Sequence, residues 1–229
     1  MRNAQSFPSE RLASARLLLV FTPAACGERD PLAVLEAALP WVDVVQVRPK
    51  PLGSARASRA PCEARAAYAW TVRVLDLVRA RNDLSALVTV DDRVDVARAL
   101  LEQGCAGVHV GQDDCPADIA RALLGERALI GFSTHTLHEV AAAEDLPVDY
   151  LGFGPISATA TKGLSQGVGP ETAWIAAETS AKPVFAIGGI TRENAGELAR
   201  VGRAAVASAV LAAEDPGRAA RELRQLLSA

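Results

Sequence analysis

The sequence predicts a closed (β/α)8 TIM barrel, on the strength of three observations. Eight short apolar runs alternate with eight longer, Ala-rich amphipathic segments along 229 residues. The runs are almost continuously apolar or β-branched, which is typical of parallel strands that are covered on both faces. The length is ordinary for one such barrel, and eight strand–helix units favour closure over an open, doubly wound sheet.

The predicted elements follow the chain in strict alternation. We expect strands at Leu17–Thr22, Val42–Arg48, Ala86–Asp92, Gly107–Gly111, Leu129–Thr134, Tyr150–Ile156, Pro183–Ile190 and Ala204–Val210. Proline at several helix starts and glycine after several helix ends agree with the usual capping preferences. We expect helices at about Pro31–Leu39, Pro61–Arg81, Val94–Gln103, Pro116–Leu124, Leu137–Glu144, Glu171–Thr179, Arg192–Arg200 and Pro216–Leu227.

The chain shows no linker and no second domain. We therefore expect residues 1–16 to form a partly ordered N-terminal extension and residues 17–229 to form a single barrel domain. The apolar run Leu17–Phe21 is too short for a signal-peptide core or a membrane span. Residues Pro49–Pro61 predict a long loop after the second strand, either a solvated insertion or a lid over an anion site.

Composition and charge exclude some classes of partner. The net charge of −3 gives nothing that attracts nucleic acid or an anionic membrane. The four cysteines form no CxxC pair and no metal-ligand spacing, which favours reduced thiols in a cytoplasmic protein. The sequence does not determine the oligomeric state, and a homo-oligomer is compatible with it.

Polar residues at the predicted strand ends are the first candidates for a site, because barrel enzymes work at the carboxyl ends of their strands. Gln46, Arg48 and Lys50 alternate at the end of the second strand and so point to one side. Basic groups in a barrel mouth are costly unless an anion meets them. These residues predict an anion site, and the alternative is a pair of exposed charges.

Two carboxylates follow neighbouring strands. Asp92 ends the third strand and Asp114 follows the fourth, so the two side chains can face each other. Close carboxylates repel unless a proton or a cation lies between them, and Mg²⁺ held by carboxylates, water and substrate phosphate meets that need. Solvated side chains remain an alternative, as does Asp114 capping the helix near Pro116.

Later strand ends add neutral and phosphate-binding candidates. Ser133 can hydrogen-bond a heterocycle and His135 can act as a base, whereas His109 is interpreted as a packed barrel histidine. Thr159, Thr161 and Lys162 place two hydroxyls and an ammonium in four residues, a plausible phosphate clamp. Backbone N–H groups near Gly189 and Ser208 suit phosphate as well, since barrels often bind it after strands seven and eight.

In order and spacing these segments resemble the thiamine phosphate synthase (thiamine-phosphate pyrophosphorylase) family, from about Leu17 to Pro216. Each motif alone is modest, but their order and spacing together are specific. The matching segments are Gln46-Val47-Arg48-Pro49-Lys50, Asp91-Asp92-Arg93, GVHVGQDD (Gly107–Asp114), Ser133-Thr134-His135, GFGPISATATK (Gly152–Lys162) and AIGGIT (Ala186–Thr191).

The resemblance implies a transferase that joins a hydroxymethylpyrimidine diphosphate to a thiazole phosphate and releases pyrophosphate. Mg²⁺ is the implied cofactor, held by Asp92 and Asp114, and the two phosphorylated small molecules are the implied partners. Arg48, Lys50, Ser133 and Lys162 are the implied catalytic residues. The implied substrate contacts are Gln46, Arg48, Lys50 and Lys162 for the diphosphate, Ser133 for the pyrimidine, and Thr159, Thr161, Gly167, Gly189, Ala207 and Ser208 for the thiazole phosphate.

Departures from the family pattern keep two alternatives open. The family usually has Asn where Asp91 stands and an acidic residue where Pro49 stands. We expect Asp91, as part of the substrate site, to bind a second cation or to stay protonated beside the diphosphate. The alternatives are a thiazole tautomerase-like barrel with His135 as its base, and a degenerate barrel that binds thiamine precursors without catalysis.

Overall fold

The computed structural model describes residues 8–50, 63–81, 85–157 and 167–228. Eight parallel strands form a closed barrel in chain order, which confirms the predicted fold class. Their hydrophobic, β-branched composition explains why they form strands that are buried on both faces. The strands are β1 Leu17–Phe21, β2 Val44–Val47, β3 Leu87–Asp91, β4 Gly107–Val110, β5 Leu129–Thr134, β6 Tyr150–Phe153, β7 Val184–Ile187 and β8 Ala204–Val206.

The barrel closes through the first and last strands. Leu19 of β1 pairs with Val45 of β2 on one side and with Val206 of β8 on the other. Every other strand pairs in parallel with its neighbours in sequence. The carboxyl ends of all eight strands therefore meet at one rim, which is where barrel active sites are built.

Helices surround the barrel and return the chain from one strand to the next. Proline occupies the first turn of several helices, where its missing N–H costs no hydrogen bond. In the described residues the α-helices are α1 Pro8–Ala13, α2 Pro31–Ala38, α3 Ala64–Ala80, α4 Val94–Leu100, α5 Ala117–Leu124, α6 Leu137–Ala142, α7 Pro170–Thr179, α8 Ser208–Leu211 and α9 Pro216–Leu226. Short 3-10 helices lie at Pro23–Cys26, Leu39–Trp41, Leu101–Gln103, Ala143–Asp145 and Ala195–Leu198.

Alternation along each strand divides the hydrophobic residues into two clusters. In β1, Leu17, Leu19 and Phe21 face the helices, while Leu18 and Val20 face the barrel interior. The interior cluster also contains Tyr150 and Phe185, both fully buried. The interior is a packed core rather than a pore, so the chemistry is left to the polar residues at the rim.

The N-terminal segment closes the end of the barrel opposite the rim. From Pro8 onward the expected extension contains helix α1, and its Leu12 is only 2% exposed within the interior cluster. The Arg203 guanidinium donates to the Ala13 carbonyl over 2.8 Å and helps to hold the segment. The described part of this extension is thus part of the barrel core.

Two predicted elements near the C-terminus are wrong in extent. Strand eight ends at Val206 instead of Val210, because the small apolar run that follows turns into helix α8. Short apolar runs of this kind do not distinguish strand from helix by period alone. The predicted helix Arg192–Arg200 is reduced to the 3-10 turn Ala195–Leu198. This turn begins after Asn194 and has no side-chain cap, and Asn194 Oδ1 accepts from the Thr191 N–H over 2.8 Å.

Two sequence expectations concern the chain as a whole. None of the helices in the described residues has the length and apolar character needed to cross a membrane. Among the described cysteines, Cys26, Cys105 and Cys115 are free thiols, while Cys62 lies outside the described residues. Burial raises the pKa of Cys105 to about 11.

Candidate active site

Gln46 and Asp91 form the floor of a polar cluster on the inner side of β2 and β3. Both side chains are buried, at 5% exposure each. Gln46 Nε2 donates to Asp91 Oδ1 over 2.5 Å, so one oxygen of this carboxyl group accepts a hydrogen bond from the barrel interior. Strand pairing places them together, because Gln46 pairs with Thr89, two residues before Asp91 on the same face.

Arg48 and Lys50 continue past the end of β2 and meet the other oxygen of Asp91. Arg48 Nε lies 3.3 Å and Lys50 Nζ lies 3.2 Å from Asp91 Oδ2. Lys50 also lies 2.6 Å from Asp92 Oδ2 and is only 7% exposed. The alternation in the sequence therefore does bring both basic groups to the barrel mouth, and carboxylates balance them there.

Asp92 has an unusual backbone conformation for its residue type. Its φ is 61°, the only positive φ outside glycine in the described residues. Aspartate tolerates this left-handed region better than most side chains, and such conformations cluster at functional sites. The Asp92 N–H donates to the His109 carbonyl over 2.8 Å, so β4 holds the turn that directs the carboxylate toward Lys50.

Asp114 approaches Asp92 from the loop after β4. The Gly111 N–H donates to Asp114 Oδ2 over 2.7 Å and fixes the carboxylate in this loop. Burial, followed by the charge of Asp92 and a hydrogen bond between the two carboxyl groups, raises the pKa of Asp114. Helix α5 has no side-chain cap, so the alternative role of Asp114 as its cap is wrong.

The donor set of this pair fits Mg²⁺. Asp92 and Asp114 offer hard oxygen ligands, and their proximity, which adds to burial in raising the pKa of Asp114, favours a cation between them. In the ranges that the structure describes, no group of three or more His, Cys, Asp or Glu side chains is arranged as a metal site. Two carboxylates suit an ion that keeps water and phosphate among its ligands.

Ser133 faces the barrel interior from β5, beside His109 of β4. Ser133 Oγ lies 2.9 Å from His109 Nε2, and the ring is 8% exposed. His109 Nδ1 in turn lies 3.3 Å from the hydroxyl of Tyr150, a residue that sequence reasoning missed as part of the site. A phenol in the otherwise apolar run of β6 is the sequence signal that could have indicated it. His135 has its Nδ1 2.6 Å from the Gly154 carbonyl.

The opposite part of the rim is made of backbone and small residues. Gly167 passes so close to the chain that a Cβ there would lie 2.0 Å from the Ile156 carbonyl. Asn194, a second residue missed from sequence, donates to the Gly189 carbonyl over 2.9 Å and fixes this turn. Ala207 and Ser208 join β8 to α8. Thr159, Thr161 and Lys162 lie outside the described residues, as does the loop beyond Lys50.

Comparison with known proteins identifies the family. A family model described as thiamine monophosphate synthase matches residues 17–210. The chain belongs to the thiamine monophosphate synthase family. A curated thiamine-phosphate synthase of Mycolicibacterium smegmatis is 38% identical over 234 residues, covering 100% of this chain and 99% of that protein.

Two further members place the chain within the thiamine monophosphate synthase family. A thiamine-phosphate synthase of Synechococcus sp. is 47% identical over 148 residues, 64% of this chain, and the match spans only 41% of that longer protein. The solved thiamine phosphate pyrophosphorylase of Pyrococcus furiosus has a TM-score of 0.75 and 30% identity, with 96% of each chain covered. The barrel is therefore the fold of this family.

Asp91 gives a test of the electrostatics of the cluster. Burial, then the charge of Asp92, raises the pKa of Asp91, although Lys50 and Arg48 oppose the shift. A carboxyl group with a raised folded-state pKa stabilises the protein below its unfolded value of about 4 and loses that contribution as the pH rises through the folded value. We expect Asp91→Asn to lack this loss, so that its stability relative to the wild type improves as the pH rises above about 4.

The measurement is urea unfolding at a series of pH values in the presence of a metal chelator. Asp113→Asn is the matched control, because Asp113 is exposed on the same rim, and its stability difference should stay flat across the range. A difference for Asp91→Asn that worsens as the pH rises would show that Lys50 and Arg48 dominate over burial.

Proposed function

We propose that this protein is a thiamine-phosphate synthase. It would condense 4-amino-2-methyl-5-(diphosphomethyl)pyrimidine with a thiazole phosphate to give thiamine monophosphate and pyrophosphate. The observation that supports this most is the rim cluster, in which Lys50 bridges Asp91 and Asp92 while Asp114 adjoins them. Its place at the carboxyl ends of the strands, in a chain of this family, favours chemistry on a phosphorylated small molecule.

The charges of this cluster support a requirement for Mg²⁺. Three carboxyl groups, those of Asp91, Asp92 and Asp114, surround two cations, Arg48 and Lys50. A diphosphate is strongly anionic and gains little from a cluster whose positive charges are already paired. A divalent cation on Asp92 and Asp114 would make the cluster attractive to the diphosphate, and when bound it would neutralise charge on the departing pyrophosphate.

The reaction needs no protein nucleophile. The bond between the pyrimidine methylene carbon and the diphosphate oxygen breaks, and its electron pair leaves with pyrophosphate. The thiazole nitrogen supplies the electron pair of the new carbon–nitrogen bond. Arg48 and Lys50 would bind the diphosphate oxygens and stabilise the growing negative charge, while Ser133 would orient the pyrimidine ring.

The thiazole phosphate would lie across the mouth from this cluster. We assign its phosphate to backbone groups near Gly167, Gly189 and the Ala207–Ser208 junction, with Thr159 and Thr161 contributing from outside the described residues. Lys162, also outside them, is assigned to the diphosphate.

The free thiols Cys26, Cys105 and Cys115 support placing this reaction in the reducing cytoplasm.

The deciding experiment is a pyrophosphate-release assay with both substrates, with and without Mg²⁺. We expect release that requires both substrates and stops when a chelator removes the metal. Turnover with the thiazole phosphate alone would instead support the tautomerase alternative, in which His135 acts as the base. Calorimetric binding of the pyrimidine diphosphate without any pyrophosphate release would support a non-catalytic barrel.

A further inference from the structure

Three side chains form a connected line inside the barrel, below the rim cluster. Ser133 Oγ lies 2.9 Å from His109 Nε2, and His109 Nδ1 lies 3.3 Å from Tyr150 Oη. The three residues come from three neighbouring strands: Ser133 from β5, His109 from β4 and Tyr150 from β6. Tyr150 is fully buried and His109 nearly so, whereas Ser133 is the member that reaches the mouth.

Two glycines leave the space that this line occupies. A Cβ at Gly131 would lie 2.2 Å from Tyr150 Cζ and 2.3 Å from His109 Nδ1. A Cβ at Gly152 would lie 3.3 Å from His109 Cε1. The strand register explains the fit, because Gly131 pairs with both His109 and Tyr150. Glycine at these two positions therefore leaves room for the His109 imidazole, which larger residues would displace.

Ring packing holds the line in one orientation. The His109 and Tyr150 ring centroids lie 5.4 Å apart, and Tyr150 packs edge-on against Phe185 at 5.7 Å. Burial raises the pKa of Tyr150, so the phenol keeps its proton throughout the neutral range. The Thr89 hydroxyl lies beside the phenol, so Tyr150 Oη can accept a hydrogen bond from Thr89 while it donates its own proton to His109 Nδ1.

We propose that His109 and Tyr150 are positioning residues that turn the Ser133 hydroxyl proton toward the substrate. With Tyr150 donating to Nδ1, the Nε2–H of the neutral ring donates to Ser133 Oγ. Ser133 then keeps its own proton for an acceptor in the mouth. The inference rests on the proposed function, and it specifies that Ser133 meets a ring nitrogen of the pyrimidine rather than its exocyclic amine, which is a donor.

The test is a double-mutant cycle on the Michaelis constant for the pyrimidine diphosphate. Tyr150→Phe removes only the hydroxyl and should raise this KM about 3- to 10-fold, the usual range for one hydrogen bond. The KM for the thiazole phosphate should change less than about twofold. In a Ser133→Ala background, Tyr150→Phe should add no further effect, because the two residues act through one hydroxyl.

A second variant addresses His109 itself. His109→Ala should reproduce the KM pattern of Ser133→Ala, with a circular dichroism spectrum unchanged from the wild type. Matched controls are Tyr68→Phe and His138→Ala, since both side chains are exposed on helices away from the barrel interior. Neither control should alter either Michaelis constant.

The outcomes separate this inference from the function on which it rests. If the wild type releases pyrophosphate but the effects of Tyr150→Phe and Ser133→Ala multiply independently, the positioning role is wrong and the function stands. Equal effects on both Michaelis constants would likewise indicate a merely structural role. If the wild type binds the pyrimidine diphosphate without turnover, the same cycle is measured on its dissociation constant. Failure to bind it at all would overturn both.

Discussion

We expect Asp92→Asn to lower kcat/KM for pyrophosphate release about 1000-fold, which is about 4 kcal/mol of transition-state stabilisation. The substitution removes one of the two carboxylates assigned to Mg²⁺ and also the 2.6 Å ion pair with Lys50. Asparagine tolerates the positive φ of 61° at this position at least as well as aspartate does. The fold should therefore survive, and the loss should be one of chemistry.

The measurement combines steady-state rates with a Mg²⁺ titration of activity and calorimetry of Mg²⁺ binding in the presence of pyrophosphate. The variant should need far more Mg²⁺ for half of its maximal rate and should bind the ion more weakly. Asp113→Asn, an exposed carboxylate next to Asp114, is the control and should behave like the wild type. A rate within about tenfold of the wild type at an unchanged Mg²⁺ requirement would remove Asp92 from the metal site.

The largest effect on stability is expected for Gly107→Ala, at the start of β4. A Cβ there would lie 1.8 Å from the Leu129 carbonyl oxygen and 2.6 Å from the Leu129 nitrogen, and φ is 154°. These are backbone atoms of the paired strand, so no side-chain rotation relieves the clash. We expect a loss on the order of 4 kcal/mol from strain and overpacking together. In a chain of this size that lowers the melting temperature by about 8 to 16 °C.

Gly104→Ala is the matched control, because Gly104 also has a positive φ, 95°, but open space around it. It should cost only the left-handed backbone penalty of about 1 to 2 kcal/mol. Thermal unfolding followed by circular dichroism compares the two variants. If Gly104→Ala proves as destabilising as Gly107→Ala, the backbone angle and not the contact with Leu129 sets the cost.

The strands were predictable from sequence because a barrel strand is apolar on both faces. Such a continuous apolar run is recognisable even where its exact ends are not. Strand eight shows the limit of this reasoning. Its apolar run extends to Val210, yet the chain leaves the sheet after Val206 and forms α8. Which residues stay in a sheet is decided by the neighbouring strands, and the sequence of one strand does not contain that information.

At the rim, too, the sequence predicted the direction of side chains along one strand but not their contacts with other strands. The alternation of Gln46, Arg48 and Lys50 predicted that these residues point to one side, and the structure brings them together on Asp91. The sequence did not predict that Asp91 faces inward to balance both cations. Nor did it predict that Tyr150 lies beside His109, since two residues 41 positions apart meet only through the register of β4, β5 and β6.

Helix α1 and the residues after it complete the packed core at the end of the barrel opposite the rim. Leu12 and Ala15 pack with Leu18 and Leu87 at the amino ends of the strands, so the described residues fill that end of the barrel. The two substrates and two products of the proposed reaction would then use the entrance at the carboxyl ends of the strands. Under the proposed reaction, a pyrophosphate or thiamine phosphate that has not yet departed stands in the path of the next pyrimidine. In that reaction, product departure would have to precede the binding of the next pyrimidine.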